Sequence, residues 1–132
     1  MQAAYEPIRA VHEAAVARTK ANIDRTADVV LVDLLEDEDG GFSKFAPYAV
    51  HPDITYVVAA FTLDGRVKFS VGSNPWRPAA RRHDISSICE QFGGGGHAVV
   101  GGVSLGDVSF AAARQVAADI VEQLLTGPAV PA

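Results

Sequence analysis

Four consecutive glycines, Gly93 to Gly96, followed at once by His97, constrain this chain more than any other stretch. Glycine loses more backbone freedom on folding than any other residue, so a run of four is kept only where the backbone needs it. Close approach is such a need. Without Cβ atoms, successive glycines can enter left-handed conformations and turn their N–H groups into a shared anion-binding concavity. His97 at the rim adds ring nitrogens able to donate or accept. The stretch therefore reads as a site for phosphate or another oxyanion. The alternative is structural: Gly93 caps a helix and the other glycines let backbone pack on backbone.

The order of elements excludes a nucleotide-binding P-loop, which runs from strand through glycines into helix and ends in Lys-Ser/Thr. Here Asp84, a favourable N-cap, precedes Ile85, Ile88 and Phe92 at helical spacing, and Gly93 suits the position just past a helix C-terminus. The dipole at that end repels anions. A phosphate has to be held instead by glycine N–H groups, His97 and cations from elsewhere. Arg66, Lys68, Arg77, Arg81 and Arg82, five of the 11 basic residues, stand just before the glycines. The net charge of −5 means that nucleic acid is not attracted by the field of the whole molecule.

With 132 residues, 48% hydrophobic and 20% charged, the chain is expected to form one domain with its own core. The single cysteine, Cys89, excludes an intramolecular disulfide framework and fits a reducing cytoplasm; its helical surroundings make it a buried apolar residue. No basic stretch leads into an apolar core at the N-terminus, and no apolar run approaches the roughly 18 residues of a membrane span. The expectation is a cytoplasmic protein with no membrane contact.

Residues 7–24 carry a helical apolar stripe through Ile8, Val11, Ala15 and Ile23. It is narrow and alanine-rich, suited to covering a sheet, crossing to another domain or pairing with a copy of itself. Residues 28–35 form a nearly continuous β-favouring run, as in a strand covered on both faces. The acids 36–39 lack the alternating spacing of a calcium loop and read as a solvated turn. Residues 42–52 suit a short helix or an irregular crossing. Two β-rich runs, 54–63 and 66–71, flank Asp64-Gly65, the signal for a type I′ hairpin. In the second run Arg66, Lys68 and Ser70 alternate with Val67, Phe69 and Val71, placing the polar set on one wet or ligand-facing side. It leads into a loop through Ser73, Asn74, Pro75, Trp76 and Arg77. Residues 98–105 return as a strand, and Ser109 caps a long helix with Phe110, Ala113, Ala117, Ile120 and Leu124 on its apolar face, stopped by Gly127-Pro128. The predicted fold is α/β: a single domain, with a mixed sheet of about four to five strands flanked by helices.

Catalytic signals are weak. His12, His51, His83 and His97 show no spacing that sets two metal ligands on a common face, and no Gly-x-Ser-x-Gly elbow occurs. No catalytic or metal-ligating residue is assigned to this chain, although a site of His97, His83 and distant carboxylates stays open.

The stretch from Ile85 through Phe92, Gly93, Gly94, Gly95, Gly96 and His97 to Gly102 strongly resembles the GGGGH segment of the C-terminal DHH-associated domain of DHH-family phosphoesterases. The hairpin from Tyr56 through Lys68, Ser70 and Ser73 is similar to that domain's serine-containing strand pair. The Asn74-Pro75-Trp76 loop resembles the oligoribonuclease-like, exopolyphosphatase-related branch. The likeness covers about residues 28–125. It implies that residues 28–126 form the substrate-binding domain, with residues 1–27 a helix at an inter-domain connection and 127–132 a frayed tail. It further implies that Gly93 to Gly96, His97, Ser70 and Ser73 contact substrate, a nucleotide or the end of a short single-stranded RNA or DNA. Asn74, Trp76, Arg77, Arg81 and Arg82 are the neighbouring candidates. Many members carry a phosphate-clamping arginine between the two serines; this chain has Gly72 there, and Arg77, Arg81 or Arg82 is the replacement.

The chain has no Asp-His-His motif. The resemblance thus implies the substrate-gripping half of a phosphodiesterase whose manganese sits in an N-terminal DHH domain, supplied in cis or in trans, with no cofactor in this chain. Two alternatives stand beside it: an interaction or homodimerisation module with a vestigial ligand site, and a stand-alone metal-dependent phosphatase.

Overall fold

The two most apolar strands lie side by side within the sheet, neither at an edge, because both of their faces need cover. In the computed structural model, which describes residues 13–36, 43–106 and 108–126, these are β2 (Val29–Leu34) and β3 (Tyr56–Leu63). Flanking them are β1 (Ile23–Thr26), β4 (Arg66–Ser73), β5 (Gly95–Gly96) and β6 (Val100–Leu105). The helices are α1 (residues 13–21), α2 (Ala46–Val50), α3 (Ile85–Glu90) and α4 (Phe110–Leu125). The sheet runs β1-β2-β3-β4-β6-β5, with β2 and β3 parallel and every other pair antiparallel.

Six strands replace the predicted four to five. One addition, β1, has the sequence Ile-Asp-Arg-Thr, too short and polar to show strand periodicity; it takes residues that the helical stripe had claimed up to Asp24. Ala27, held at φ 52°, turns β1 into β2. The other addition, β5, is two glycines, which have no strand propensity of their own. The predicted start of the first helix, the acidic turn beyond Glu36 and the tail after Thr126 lie outside the described residues.

The hairpin and both caps form as their residues dictate. Asp64 and Gly65 take φ values of 53° and 74°, the left-handed pair of a type I′ turn. The Asp84 carboxylate accepts from the Ser86 N–H at 3.1 Å, and the Ser109 hydroxyl accepts from the Ala112 N–H at 3.0 Å.

Strand alternation builds two unequal faces. Tyr56, Val58, Phe69, Val71 and Val103 turn to one side and are buried beneath α3 and α4, whose Ile85, Ile88, Ile120 and Leu124 complete the main core. On the other side Val30, Val32, Val57 and Ala59 pack with Ile54 and with Tyr48 of α2. That second layer covers β2 and β3 only. Across β4 and β6 the same face carries Lys68, Ser70 and Gly72, paired in register with Ser104, Gly102 and Val100. A strip of small residues beside a helix makes a hollow. No helix of the described residues is long and apolar enough to cross a membrane.

The glycine tract packs against β6 at distances that only glycine permits. A Cβ on Gly94 would stand 2.1 Å from the Gly102 carbonyl oxygen, and one on Gly96 would stand 2.4 Å from Gly101 Cα, whereas one on Gly95 would meet nothing within 4 Å. Gly94→Ala is therefore expected to lower the stability of the fold by about 1–3 kcal/mol or more, as overpacking does. Gly95→Ala should change it by less than about 1 kcal/mol. Urea denaturation of the two variants checks this, and equal losses would contradict it.

Candidate functional site

The hollow over β4 is a cavity of about 480 Å³, within the ~300–1,000 Å³ usual for small-molecule sites. Its floor is Val57, Ser70 and Gly72, neighbours across the β3–β4 and β4–β6 pairings. Lys44, Phe45 and Tyr48 form the α2 side, and Val99 and Val100 form the β6 side. Ser73, Asn74, Pro78 and Arg81 close the end where β4 leaves the sheet. Most of this lining is apolar, with two cations and three hydroxyls set into it.

Each polar group has a physical reason for its position. Ser73 ties the end of β4 to the β5–β6 loop, its backbone N–H and hydroxyl both donating to the Val99 carbonyl at 3.0 Å. Asn74 is buried; its amide donates to the Pro52 and Ile54 carbonyls at 3.1 and 2.9 Å, and its side-chain oxygen accepts from the Trp76 N–H at 2.9 Å. It anchors the loop, and its groups are satisfied by protein. Arg81 Nη1 donates to the His83 carbonyl at 2.7 Å and reaches the Ala98 carbonyl at 3.4 Å, which leaves donors of its five-donor fork for a ligand. Burial pushes the Tyr48 hydroxyl up from its ordinary pKa, so it stays protonated, a neutral donor beside Gly72.

The candidates named from sequence separate into three groups. Ser70, Ser73, Asn74 and Arg81 converge on the cavity. Trp76 lies beside it, 67% exposed and edge-on to Phe45 and Tyr48 with centroids 5.6 and 6.0 Å apart; Arg77 hydrogen-bonds the Asp53 carbonyl. Arg82 is committed elsewhere. Its guanidinium pairs with Asp28 at 2.6 Å, donates to the Leu124 carbonyl at 3.0 Å and lies over the Tyr56 ring on the α4 side of the sheet. Of the three arginines proposed to replace the missing clamp, Arg81 alone lines the cavity.

The glycines serve the helix before them. Gly93, at φ 84°, donates to the Glu90 carbonyl at 3.1 Å, and Gly94 donates to the Cys89 carbonyl at 2.9 Å. These two bonds form a Schellman cap and occupy the first two N–H groups of the tract. Gly95 and Gly96 pair with Gly102 and Gly101. The His97 side chain is exposed on the loop between β5 and β6, two residues before Val99. Lys44, Phe45, Tyr48, Val57, Val99 and Val100 were not anticipated as lining; the one available signal was the pairing of Phe45 and Tyr48 at helical spacing in a segment read as a short helix or an irregular crossing, of which the helix is what forms.

His83, also buried, belongs to the frame. The Tyr56 hydroxyl accepts the Arg82 and His83 backbone N–H groups at 2.6 and 2.9 Å and lies 2.9 Å from His83 Nδ1. Both lone pairs being used, its hydrogen goes to Nδ1. Among the described residues no three His, Cys, Asp or Glu side chains gather into a metal-holding group. They do not fit the manganese that the DHH resemblance implies, and no hydrolytic step is derived from them.

No family model and no curated protein matches the sequence. Solved structures do match. A pGpG-specific phosphodiesterase, PggH from Vibrio cholerae, superimposes with a TM-score of 0.69 at 22% identity, over 86% of this chain and 39% of its own. An exopolyphosphatase-related protein from Bacteroides fragilis gives 0.62 at 16% identity, over 85% and 34%. A DHH-domain structure described as a member of a family of ribosomal proteins gives 0.56 at 13% identity, over 95% and 33%. The fold is that of a DHH-associated domain. The chain spans only a third to two-fifths of the length of the proteins it matches.

The two adjacent arginines, Arg81 and Arg82, should part company in experiment. Burial raises the Asp28 pKa, but hydrogen bonds from Arg82 and Thr55 outweigh it and hold the carboxyl below its ordinary value of 3.8. A depressed folded-state pKa contributes stability above the unfolded value and loses it as pH falls through the folded one. Asp28→Asn is thus expected to destabilise by about 1 kcal/mol at neutral pH, the pair being partly exposed. The deficit should begin to shrink as pH falls below the ordinary value of 3.8 and close only once pH has passed through the depressed folded-state value, where the wild-type carboxyl is also neutral. Denaturation midpoints across that range check the sign; Arg81→Ala, which touches neither partner, should show no such pH-dependent deficit.

Proposed function

We propose that this chain is the substrate-gripping module of a phosphodiesterase, binding a nucleotide or the end of a short oligonucleotide, with hydrolysis performed by a metal-bearing DHH domain supplied in cis or in trans. The observation that carries the reading is the cavity itself: two cations and three hydroxyls set in an otherwise apolar hollow. The fold, shared with a pGpG-specific phosphodiesterase and an exopolyphosphatase-related protein, supports it.

In this reading Arg81 and Lys44 neutralise phosphate charge at the mouth of the cavity, the Ser70 hydroxyl donates to phosphate or sugar oxygens, and the Ser73 oxygen, its hydrogen held by the Val99 carbonyl, accepts from a sugar hydroxyl. His97 adds a ring nitrogen from the β5–β6 loop. The glycines contribute chiefly by position, because they bring that loop against the end of β4. Nucleophile, base and metal all belong to the other domain, and the role of this one is to fix the scissile ester relative to them.

Calorimetric titration of the chain with AMP, 3′-phosphoadenosine 5′-phosphate and a two- to five-nucleotide RNA, at low and moderate salt, tests the proposal. Binding that weakens with salt and falls about tenfold or more in Arg81→Ala is the expected result, a hydrogen bond to a charged group contributing about 1.5–3 kcal/mol. Binding unaffected by Arg81→Ala would place the phosphate elsewhere.

A further inference from the structure

Resting on that reading, we propose that the cavity is a nucleobase subsite: the base enters the apolar hollow between Phe45 and the Val99–Val100 edge, and the phosphate stays at the Arg81 mouth. The lining decides this. A chain of inorganic phosphates needs cations and N–H donors along its whole length, whereas Lys44 and Arg81 are the only cations among the described lining residues and the floor offers Val57, Gly72 and the Ser70 hydroxyl. What the hollow matches is a flat, largely apolar group with a few hydrogen-bonding edges.

Three features suit a base in particular. The aromatic Phe45 is 58% exposed and faces the cavity, and Val99 and Val100 are 52% and 38% exposed on the β6 side. Apolar side chains left uncovered on both sides of one hollow gain when a planar ligand removes them from water. Gly72 supplies the depth. A Cβ there would meet only the Tyr48 hydroxyl, at an ordinary 3.7 Å, so neither clash nor backbone conformation demands glycine at this position. What its absent side chain leaves is room beside that hydroxyl. Tyr48 then presents to the base edge a protonated phenol whose ring is buried in the second core. Phe45 and Trp76 brace one another edge to face, which holds the Phe45 ring upright without burying it.

Comparing AMP, ribose 5-phosphate and tripolyphosphate by calorimetry on the full chain separates this inference from the reading it rests on. AMP is expected to bind about tenfold or more tightly than ribose 5-phosphate, the scale of one base on an aromatic face. Phe45→Ala, at an exposed position that the fold does not need, should erase that advantage and leave ribose 5-phosphate unchanged. Gly72→Leu, filling the floor without adding charge, should do the same. Titration of AMP should also change the fluorescence of Trp76, the sole tryptophan. Ribose 5-phosphate or tripolyphosphate binding as tightly as AMP would overturn the base subsite and leave the phosphate grip standing, as would an AMP advantage that survives both variants. Absence of binding by all three would overturn both.

Discussion

Helix α3 is pinned at both ends by the glycine segment, and the placement of the cavity-lining groups on the β6 side follows from that. At its C-terminus the orphan carbonyls of Cys89 and Glu90 are taken by Gly94 and Gly93. At its N-terminus the Ile85 N–H donates to the Ala98 carbonyl and the Ser86 N–H, shared with the Asp84 carboxylate, donates to the His97 carbonyl, each at 3.1 Å. A short helix leaves most of its backbone groups unpaired at its two ends. Here one contiguous stretch of chain, leaving the helix and doubling back, satisfies donors at one end and acceptors at the other. The return path runs so close to β6 that position 101 must itself be glycine: a Cβ there would stand 2.9 Å from the Gly95 carbonyl oxygen and 2.8 Å from Cys89 Sγ of α3.

This arrangement gives the glycine run a purpose different from the one its composition suggests. An anion nest needs several N–H groups converging on open space. Two of the four are already donated to α3, and the others lie in a strand pair. The tract acts at one remove, because the loop it positions delivers Val99 and Val100 to one side of the cavity and the Val99 carbonyl to Ser73. Cations and hydroxyls come from other elements.

Much of the fold was legible because its signals are local. The type I′ hairpin at Asp64-Gly65, the caps at Asp84 and Ser109 and the buried run ending at Leu34 each announce themselves within a few residues. The strands that were missed had no local signal: β1 is short and polar, and β5 is strand only because β6 lies alongside. The site divided in the same way. Alternation in β4 placed Ser70 on the face that holds the cavity, since period two is a property of one strand. Lys44, Phe45 and Tyr48 arrive across the parallel β2–β3 connection, a juxtaposition that only the assembled sheet creates. Arg81 and Arg82 were indistinguishable as neighbours in a basic cluster; which of them faces the cavity depends on how the linker is seated.

That seating carries a mechanical consequence. Tyr56 is fully buried in β3, and its hydroxyl grips the backbone N–H groups of both Arg82 and His83. The linker from β4 to α3 is thereby bolted to the middle of the sheet, with Arg81 on one side of the bolt and the Arg82–Asp28 pair on the other. The backbone that carries Arg81 and the backbone that carries Arg82 thus share one anchor in the core, a single phenol oxygen whose removal would unseat both.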